Sequence, residues 1–206
     1  MFMKKNVINI LIALFFVSLF FTDLLAADNR SDEIESFISM LNSDLQVERI
    51  RAAKLITRSG LTDQKLFDLI QNKLLAGYQE NTGSSKHMDE MSWFCKALAS
   101  SGNHAYIDTL RKIANTASSS KLRKYAKQSI GLVEKYHMDN KIISSTENLE
   151  KGMSLEAAQV KNMLTSDKLY LQKDAAKMLV RKEVTDPSLY ALVNEELKKR
   201  FMMHGA

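Results

Sequence analysis

The sequence has 206 residues, 45% of them hydrophobic, and a formal net charge of +5. Its single cysteine cannot form an intrachain disulfide, which excludes a small secreted scaffold held together by disulfides. One proline and seven glycines, with no sustained alternation of apolar and polar residues, argue against a sheet-rich protein and favour nearly continuous helix.

The N-terminal stretch has the three parts of a secretory signal. Lys4 and Lys5 precede an apolar run over residues 7–21, and the small residues Ala26 and Ala27 follow it. We therefore assign residues 1–27 to a signal peptide and 28–206 to one domain in the periplasm or outside the cell. A leucine stands where the signal peptidase prefers a small residue, so an uncleaved inner-membrane anchor of about 20 residues is the alternative.

The rest of the chain predicts short amphipathic helices, because apolar residues recur at three- and four-residue spacing between capping residues and glycines. The helices are predicted over residues 32–42, 43–59, 62–77, 87–101, 105–116, 119–136, 154–164, 167–181 and from 186 onwards. Residues 80–86 are predicted as a polar loop, and residues 138–151 as a linker with a single helical turn.

One stretch of this chain occurs twice. Residues 40–74 recur at 163–197 with a constant shift of 123. That shift is three times 41, and periods of roughly 40–47 residues are typical of HEAT and armadillo helical pairs. The positions that recur unchanged are Met40, Leu41, Ser43, Asp44, Ala52, Ala53, Lys54, Arg58, Thr62, Asp63, Leu66, Leu69 and Leu74.

The two copies resemble HEAT repeats in an aspartate at the turn and an alanine pair on the second helix. The residues are Asp44, Val47, Arg51, Ala52, Ala53 and Leu55, and then Asp167, Ala175, Ala176 and Met178. The resemblance implies an all-α, right-handed solenoid of about four antiparallel helix pairs with a terminal capping helix. It also implies a concave surface, lined by the second helices, that binds another macromolecule. The proline typical of a HEAT first helix is missing, so generic helical repeats are the alternative.

Each predicted second helix carries a small residue followed by lysine. We call the set of basic residues on these helices the lysine ladder and predict that it is the partner-binding face. Its members are Lys54, Arg58, Lys96, Arg123, Lys124, Lys127, Lys177 and Arg181. A row of cations favours an acidic protein surface or an anionic envelope component. The alternative is a solvated helix face of the kind common in helical proteins.

No constellation in the sequence predicts catalysis. The histidines are scattered, the glycines stand singly at helix ends, and no nucleophile has a recognisable setting, so we predict no catalytic residue, no metal site and no cofactor. Cys95, among Trp93, Phe94 and Leu98, is predicted to be a buried thiol. A reactive or dimer-linking thiol is the alternative.

These features together predict an exported, non-enzymatic helical-repeat module that binds a protein partner with an acidic surface. One alternative is a nucleic-acid enzyme similar to the HEAT-like DNA-repair glycosylases, whose basic concave face grips phosphates. The signal segment argues against it, and Trp93 is the only tryptophan available for stacking. The other alternative is an adaptor tethered to the membrane by an uncleaved N-terminal segment.

Overall fold

The computed structural model describes residues 31–147, 149–150, 152–181, 184 and 186–204, and within them it is helical and contains no strand. The all-α prediction is therefore confirmed for the described part of the chain. The predicted signal peptide lies outside the described residues. None of the described helices is long and apolar enough to cross a membrane.

Ten α-helices and one short 3-10 helix follow one another among the described residues. Helix α1 covers residues 31–41, and the 3-10 helix His104–Tyr106 leads into α5. The others are α2 Gln46–Ser59, α3 Gln64–Gly77, α4 Ser85–Ser100, α5 Ile107–Thr116, α6 Ser120–Ile130, α7 Val133–Ile143, α8 Leu155–Thr165, α9 Leu169–Val180 and α10 Pro187–His204.

The helices are mostly too short to be stable alone, since isolated helices below about 12–15 residues are marginal in water. They pack instead along their apolar faces. Helices α2, α4 and α6 lie side by side, α3 packs on α4, and α5 packs on α6. Helix α9 packs on α8, which also contacts α7 and α10. Helices that follow one another along the chain are thus in contact in the pairs α3/α4, α5/α6 and α8/α9.

Two hydrophobic cores result from this packing. The first extends from Phe37 to Val133 and includes the fully buried Phe67 and Phe94. The second begins at Ile143 and extends to Leu189. Because Val133 and Ile143 are the first and last residues of α7, that helix belongs to both cores.

Helix α7 corrects the sequence prediction. The helix predicted over 119–136 ends at Ile130, and the first part of the predicted linker, residues 138–143, belongs to helix α7. The chain turns at Gly131 and Leu132. The backbone of Leu132, with φ −102° and ψ −10°, departs from regular helical geometry. After that turn, Val133 and Ile143 lie on one buried face, so α7 gains stability from tertiary packing that its polar composition does not reveal.

Side-chain amides and close backbone contacts hold α7 in place. Buried Asn140 donates from Nδ2 to the carbonyl oxygens of Ser100 (2.8 Å) and Ser101 (3.1 Å), which satisfies acceptors at the end of α4. Gly102 has φ +66°, and a Cβ there would lie 2.6 Å from the Cα of His137. This position therefore requires glycine for two independent reasons.

The end of α7 is held in the same way. Asn162 of α8 donates to the carbonyl oxygens of Ile143 (3.1 Å) and Ser145 (2.7 Å). Gly60, with φ +68°, lies against Ile143, whose side chain a Cβ would meet at 2.6 Å. Helix α7 is thus tied to α2, α4 and α8.

The duplicated stretch repeats a specific hydrogen bond at the start of the second helix. A long side chain reaches back six residues to a carbonyl oxygen of the preceding turn. The bonds are Arg49 to Ser43 (2.8 Å), Arg123 to Ala117 (2.6 Å) and Gln172 to Ser166 (2.6 Å). The first and last of these pairs are related by the shift of 123 residues, so the two sequence copies share a local structure.

Cys95 is buried, as predicted, and burial raises the pKa of its thiol to about 12. The thiolate, which is the reactive form, is therefore scarce at neutral pH. This favours the structural interpretation of Cys95 over the reactive thiol.

Replacing Asn140 by alanine should lower the free energy of unfolding by about 1–3 kcal/mol, because two buried carbonyl groups lose their donor. Urea unfolding followed by circular dichroism measures the change. Asn72→Ala is the matched control, since Asn72 is exposed on α3 and its replacement should be close to neutral. Equal stability of the two variants would show that α7 is not held by this cap.

Candidate functional site

A groove of about 320 Å³ lies between α2, α4, α6, α7 and α9. Its walls combine aromatic rings with charged groups. The aromatic residues are Trp93, Tyr125, Tyr136 and Tyr170. The charged residues are Arg58, Lys96, Lys135, Asp139 and Asp174.

Lysines alternate with aromatic rings where α2, α4 and α6 border the groove. We call these residues the lysine–aromatic face: Lys54, Trp93, Lys96 and Tyr125. The Nζ atoms of Lys54 and Lys96 lie 5.1 and 4.0 Å from the centroid of the Trp93 ring. The Nζ of Lys96 is also 4.7 Å from the centroid of Tyr125. These distances are within the range of attractive cation–π contacts.

This arrangement follows from the helix geometry. Trp93 and Lys96 are three residues apart on α4 and therefore share one face of that helix. Lys54 and Tyr125 come from the two helices that flank α4. Because each ammonium group is held against a ring, less side-chain entropy remains to be lost when an anion binds to it.

The opposite wall is organised around Asp139 of α7. Its side chain is only 2% exposed and accepts hydrogen bonds from the Nζ of Lys135 (2.7 Å), the Nζ of Lys168 (2.8 Å) and the hydroxyl of Tyr170 (2.6 Å). Burial alone would raise the pKa of Asp139, but these hydrogen bonds outweigh it and the pKa is lowered. Asp139 is therefore ionised at neutral pH.

Two of the hydrogen-bond partners of Asp139, Lys168 and Tyr170, have raised pKa values. The hydrogen bond to Asp139 raises the pKa of Lys168. Burial, and then the hydrogen bond to Asp139, raise the pKa of Tyr170. Lys135 is held by more than the carboxylate, since its Nζ lies 3.8 Å from the centroid of Tyr170 and 5.5 Å from that of Tyr136.

The structure brings part of the lysine ladder together. Lys54 and Lys96 meet around Trp93, and Arg58 lines the same groove as Lys96. Lys124 lies beside Tyr125 in a shallow depression next to the groove. These four residues occupy neighbouring parts of the row of helices α2, α4 and α6.

The other four members of the ladder are placed differently. Arg123 donates to the carbonyl oxygens of Ala117 and Ser118 and so has a structural role. Lys127 is exposed on α6, and Lys177 forms an ion pair with Asp174 (2.8 Å). Arg181 follows the last turn of α9. That all eight residues form one partner-binding face stays a prediction.

Sequence reasoning missed the second wall of the groove. Lys135, Tyr136 and Asp139 fall at the end of the predicted sixth helix and in the predicted linker, and Tyr170 was not singled out. A signal was present, since Val133, Tyr136 and Asn140 recur at helical spacing. The polar residues that follow Ile143 obscured it.

No group of three or more histidine, cysteine, aspartate or glutamate side chains converges to hold a metal ion in the part of the chain that the structure describes. A smaller cluster does form where the 3-10 helix meets α7. The Nε2 of His104 lies 3.1 Å from a carboxylate oxygen of Glu134, and the rings of His104 and His137 are 6.2 Å apart. All three side chains lie at the surface.

The lowered pKa of Asp139 predicts a pH-dependent contribution to stability. Because its folded-state pKa lies below the unfolded value of about 3.9, the contribution is complete above about pH 4 and is lost as the pH falls through the folded-state pKa. Asp139→Asn should therefore lower the free energy of unfolding at pH 7 by about 1–3 kcal/mol, and the difference from wild type should shrink in strong acid.

Urea titrations at pH 7 and near pH 3 measure this difference. The control is Asp108→Asn, because the side chain of Asp108 is 88% exposed and its ion pair with Arg111 should contribute little. A difference between wild type and Asp139→Asn that is the same at both pH values would contradict the assignment.

Trp93 is the only tryptophan and reports on the lysine–aromatic face directly. Acrylamide is a neutral quencher, so its quenching constant reports the exposure of Trp93. The quenching constant for iodide should be higher than that exposure alone predicts, because Lys54 and Lys96 attract anions. Replacing Lys96 by methionine should lower the iodide quenching constant about twofold and leave acrylamide quenching nearly unchanged. The control is Lys112→Met on α5, and an iodide constant equally low in this control would contradict the proposed local effect.

Comparison of the chain with protein-family models, with curated proteins and with solved structures gives no match. The chemistry of the groove is therefore the basis for a functional assignment.

Proposed function

We propose that this chain is an exported, non-enzymatic helical-repeat module that binds an acidic surface of a protein partner through the lysine–aromatic face. The observation that carries the proposal is the contact of two ammonium groups, those of Lys54 and Lys96, with the ring of Trp93. Both ammonium groups lie within about 9 Å of each other, and so match two carboxylates on one partner segment.

The cation–π contacts on both walls of the groove favour an anionic ligand over other classes. The cations of the chain itself already engage Trp93, Tyr125 and Tyr170. A sugar or a quaternary ammonium ligand would have to displace these lysines in order to stack on the rings. An anion adds to the same arrangement without displacing it, since an ammonium group has three donors.

A HEAT-like, right-handed solenoid is the architecture that we propose for the module. Its support is the row of α2, α4 and α6, in which α4 and α6 each pack against the helix that precedes them. In HEAT-like proteins the second helices form the concave binding surface, and here the lysine–aromatic face lies on that row. Helices α8 and α9 would form the last pair, and α10 the cap.

A protein partner accounts for the groove better than nucleic acid does. Asp139 and Asp174 line the groove together with the cations, so the groove presents charges of both signs, whereas a nucleic-acid backbone is anionic throughout. A protein segment can match mixed charges, because it carries cationic as well as anionic side chains. Tethering by an uncleaved N-terminal segment would place the same face at a membrane without changing its chemistry.

Trp93 fluorescence tests the proposal. A poly-glutamate peptide added at low salt should change the emission of Trp93 in a saturable way, and physiological salt should weaken the binding. The double variant Lys54→Glu/Lys96→Glu should bind the peptide at least about tenfold more weakly, since two attractive contacts become repulsive.

Two matched variants carry the same change of charge elsewhere. Lys86→Glu/Lys112→Glu alters exposed lysines on α4 and α5 and should bind almost as wild type does. Lys127→Glu/Lys177→Glu tests two further members of the lysine ladder. If all three double variants bind the peptide equally weakly, the loss of affinity reflects net charge alone. That outcome would contradict specific binding at the lysine–aromatic face. Tighter binding of single-stranded DNA or of anionic lipid vesicles than of the peptide would favour the alternative functions.

A further inference from the structure

Lys135 faces the groove from the wall opposite Lys96, and its surroundings resemble those of the lysine–aromatic face. Its Nζ lies against the ring of Tyr170 at 3.8 Å, as that of Lys96 lies against Trp93 at 4.0 Å. The side chain is 42% exposed, so an incoming group can reach it. It differs from Lys96 in one respect: a carboxylate of the chain itself, Asp139, is already bound to it.

The carboxylate of Asp139 would keep two of its three hydrogen bonds if Lys135 moved to another carboxylate. Its Oδ1 atom accepts from Lys168 and Tyr170, whereas Lys135 donates to Oδ2. Loss of the Lys135 contact would thus leave two strong hydrogen bonds on the buried carboxylate. The usual penalty for an unpaired buried charge would largely be avoided.

Lys135 would also stay close to its present position during such an exchange. Its contact with the ring of Tyr170 does not involve Asp139, and an ammonium group can donate to two carboxylates at once. Lys135 and Lys168 together carry one more positive charge than Asp139 neutralises. The cluster therefore retains attraction for a further anion.

We propose that Lys135 is a second anion-binding position in the groove and that Asp139 masks it as an internal carboxylate, for which an acidic side chain of the partner competes. This inference rests on the proposed function. It extends the acidic protein segment from the lysine–aromatic face across the groove to α7. It also makes Asp139 a determinant of affinity that acts by weakening binding.

The central test is a charge-neutral replacement of Asp139. Asp139→Asn removes the competing carboxylate and should tighten binding of the poly-glutamate peptide about fivefold, as followed by Trp93 fluorescence. A residue with a merely structural role would leave affinity unchanged or weaken it. No change or weaker binding in folded Asp139→Asn, with normal binding in wild type, would overturn the masking role alone.

Asp174→Asn is the matched control. Asp174 lines the same groove and its loss changes the charge equally, but its ion-pair partner is Lys177. Asp174→Asn should therefore give a clearly smaller gain than Asp139→Asn. In addition, Lys135→Gln/Asp139→Asn should lose most of the gain of Asp139→Asn. Equal gains from the two aspartate variants, or a gain that persists without Lys135, would overturn the inference.

A second measurement applies even if Asp139→Asn does not fold. Lys135→Gln in the otherwise unchanged chain should weaken peptide binding about threefold, whereas Lys141→Gln, an exposed position on the same helix, should not change it. Equal affinities of these two variants would overturn the role of Lys135. If wild type itself gives no Trp93 response to the peptide, the proposed function fails, and this inference fails with it.

Discussion

The packing of α7 into both hydrophobic cores is the constraint on which the groove depends. Val133 anchors the start of the helix in the first core, and Ile143 anchors its end in the second. These two anchor residues stand at opposite ends of eleven residues of helix, about 16 Å in length. Without this connection, α9 would have no fixed position opposite the row of second helices, and the groove would have only one wall.

The register of α2 against α4 is favoured by an ion pair whose carboxylate is buried. Glu90 of α4 is 2% exposed and accepts hydrogen bonds from the guanidinium of Arg49 and from Gln46 at 2.8 Å. Such a pair adds little net stability, because desolvation offsets the attraction, but loss of one partner typically costs about 3–5 kcal/mol. Alternative registers of α2 against α4 are thus disfavoured. In the observed register of α2 against α4, the ammonium group of Lys54 contacts the ring of Trp93.

Local signals in the sequence were sufficient for most helix ends. Asp63, Ser119 and Ser154 cap α3, α6 and α8 with their side chains, as expected of these residue types. Ser43 and Asp44 are residue types that typically cap a helix and were expected to cap α2, but the cap lies one or two positions later. The residue before the helix is Leu45, and Ser43 instead accepts a hydrogen bond from the amide of Leu45.

Contacts between residues far apart in the chain could not be predicted from one sequence. For this reason α7 and the second wall of the groove were not predicted. The pattern at Val133 and Ile143 is too sparse to indicate a buried helix unless both cores are known. Asp139 resembles any surface carboxylate until Lys168 and Tyr170, about thirty residues later, are placed beside it. By contrast, Lys54 and Lys96 could be singled out from the sequence because each follows a small residue on a predicted second helix. The contact of both ammonium groups with the ring of Trp93 was missed.

Amide hydrogen exchange over residues 133–143 tests most directly whether α7 is a helix shared by two cores. If α7 is such a helix, these amides should be protected to nearly the same degree as those of α4, the most buried helix of the first core. Exchange as fast as that of the loop 80–84 would show a linker in place of α7. The two-core connection and the groove that it shapes would then be contradicted.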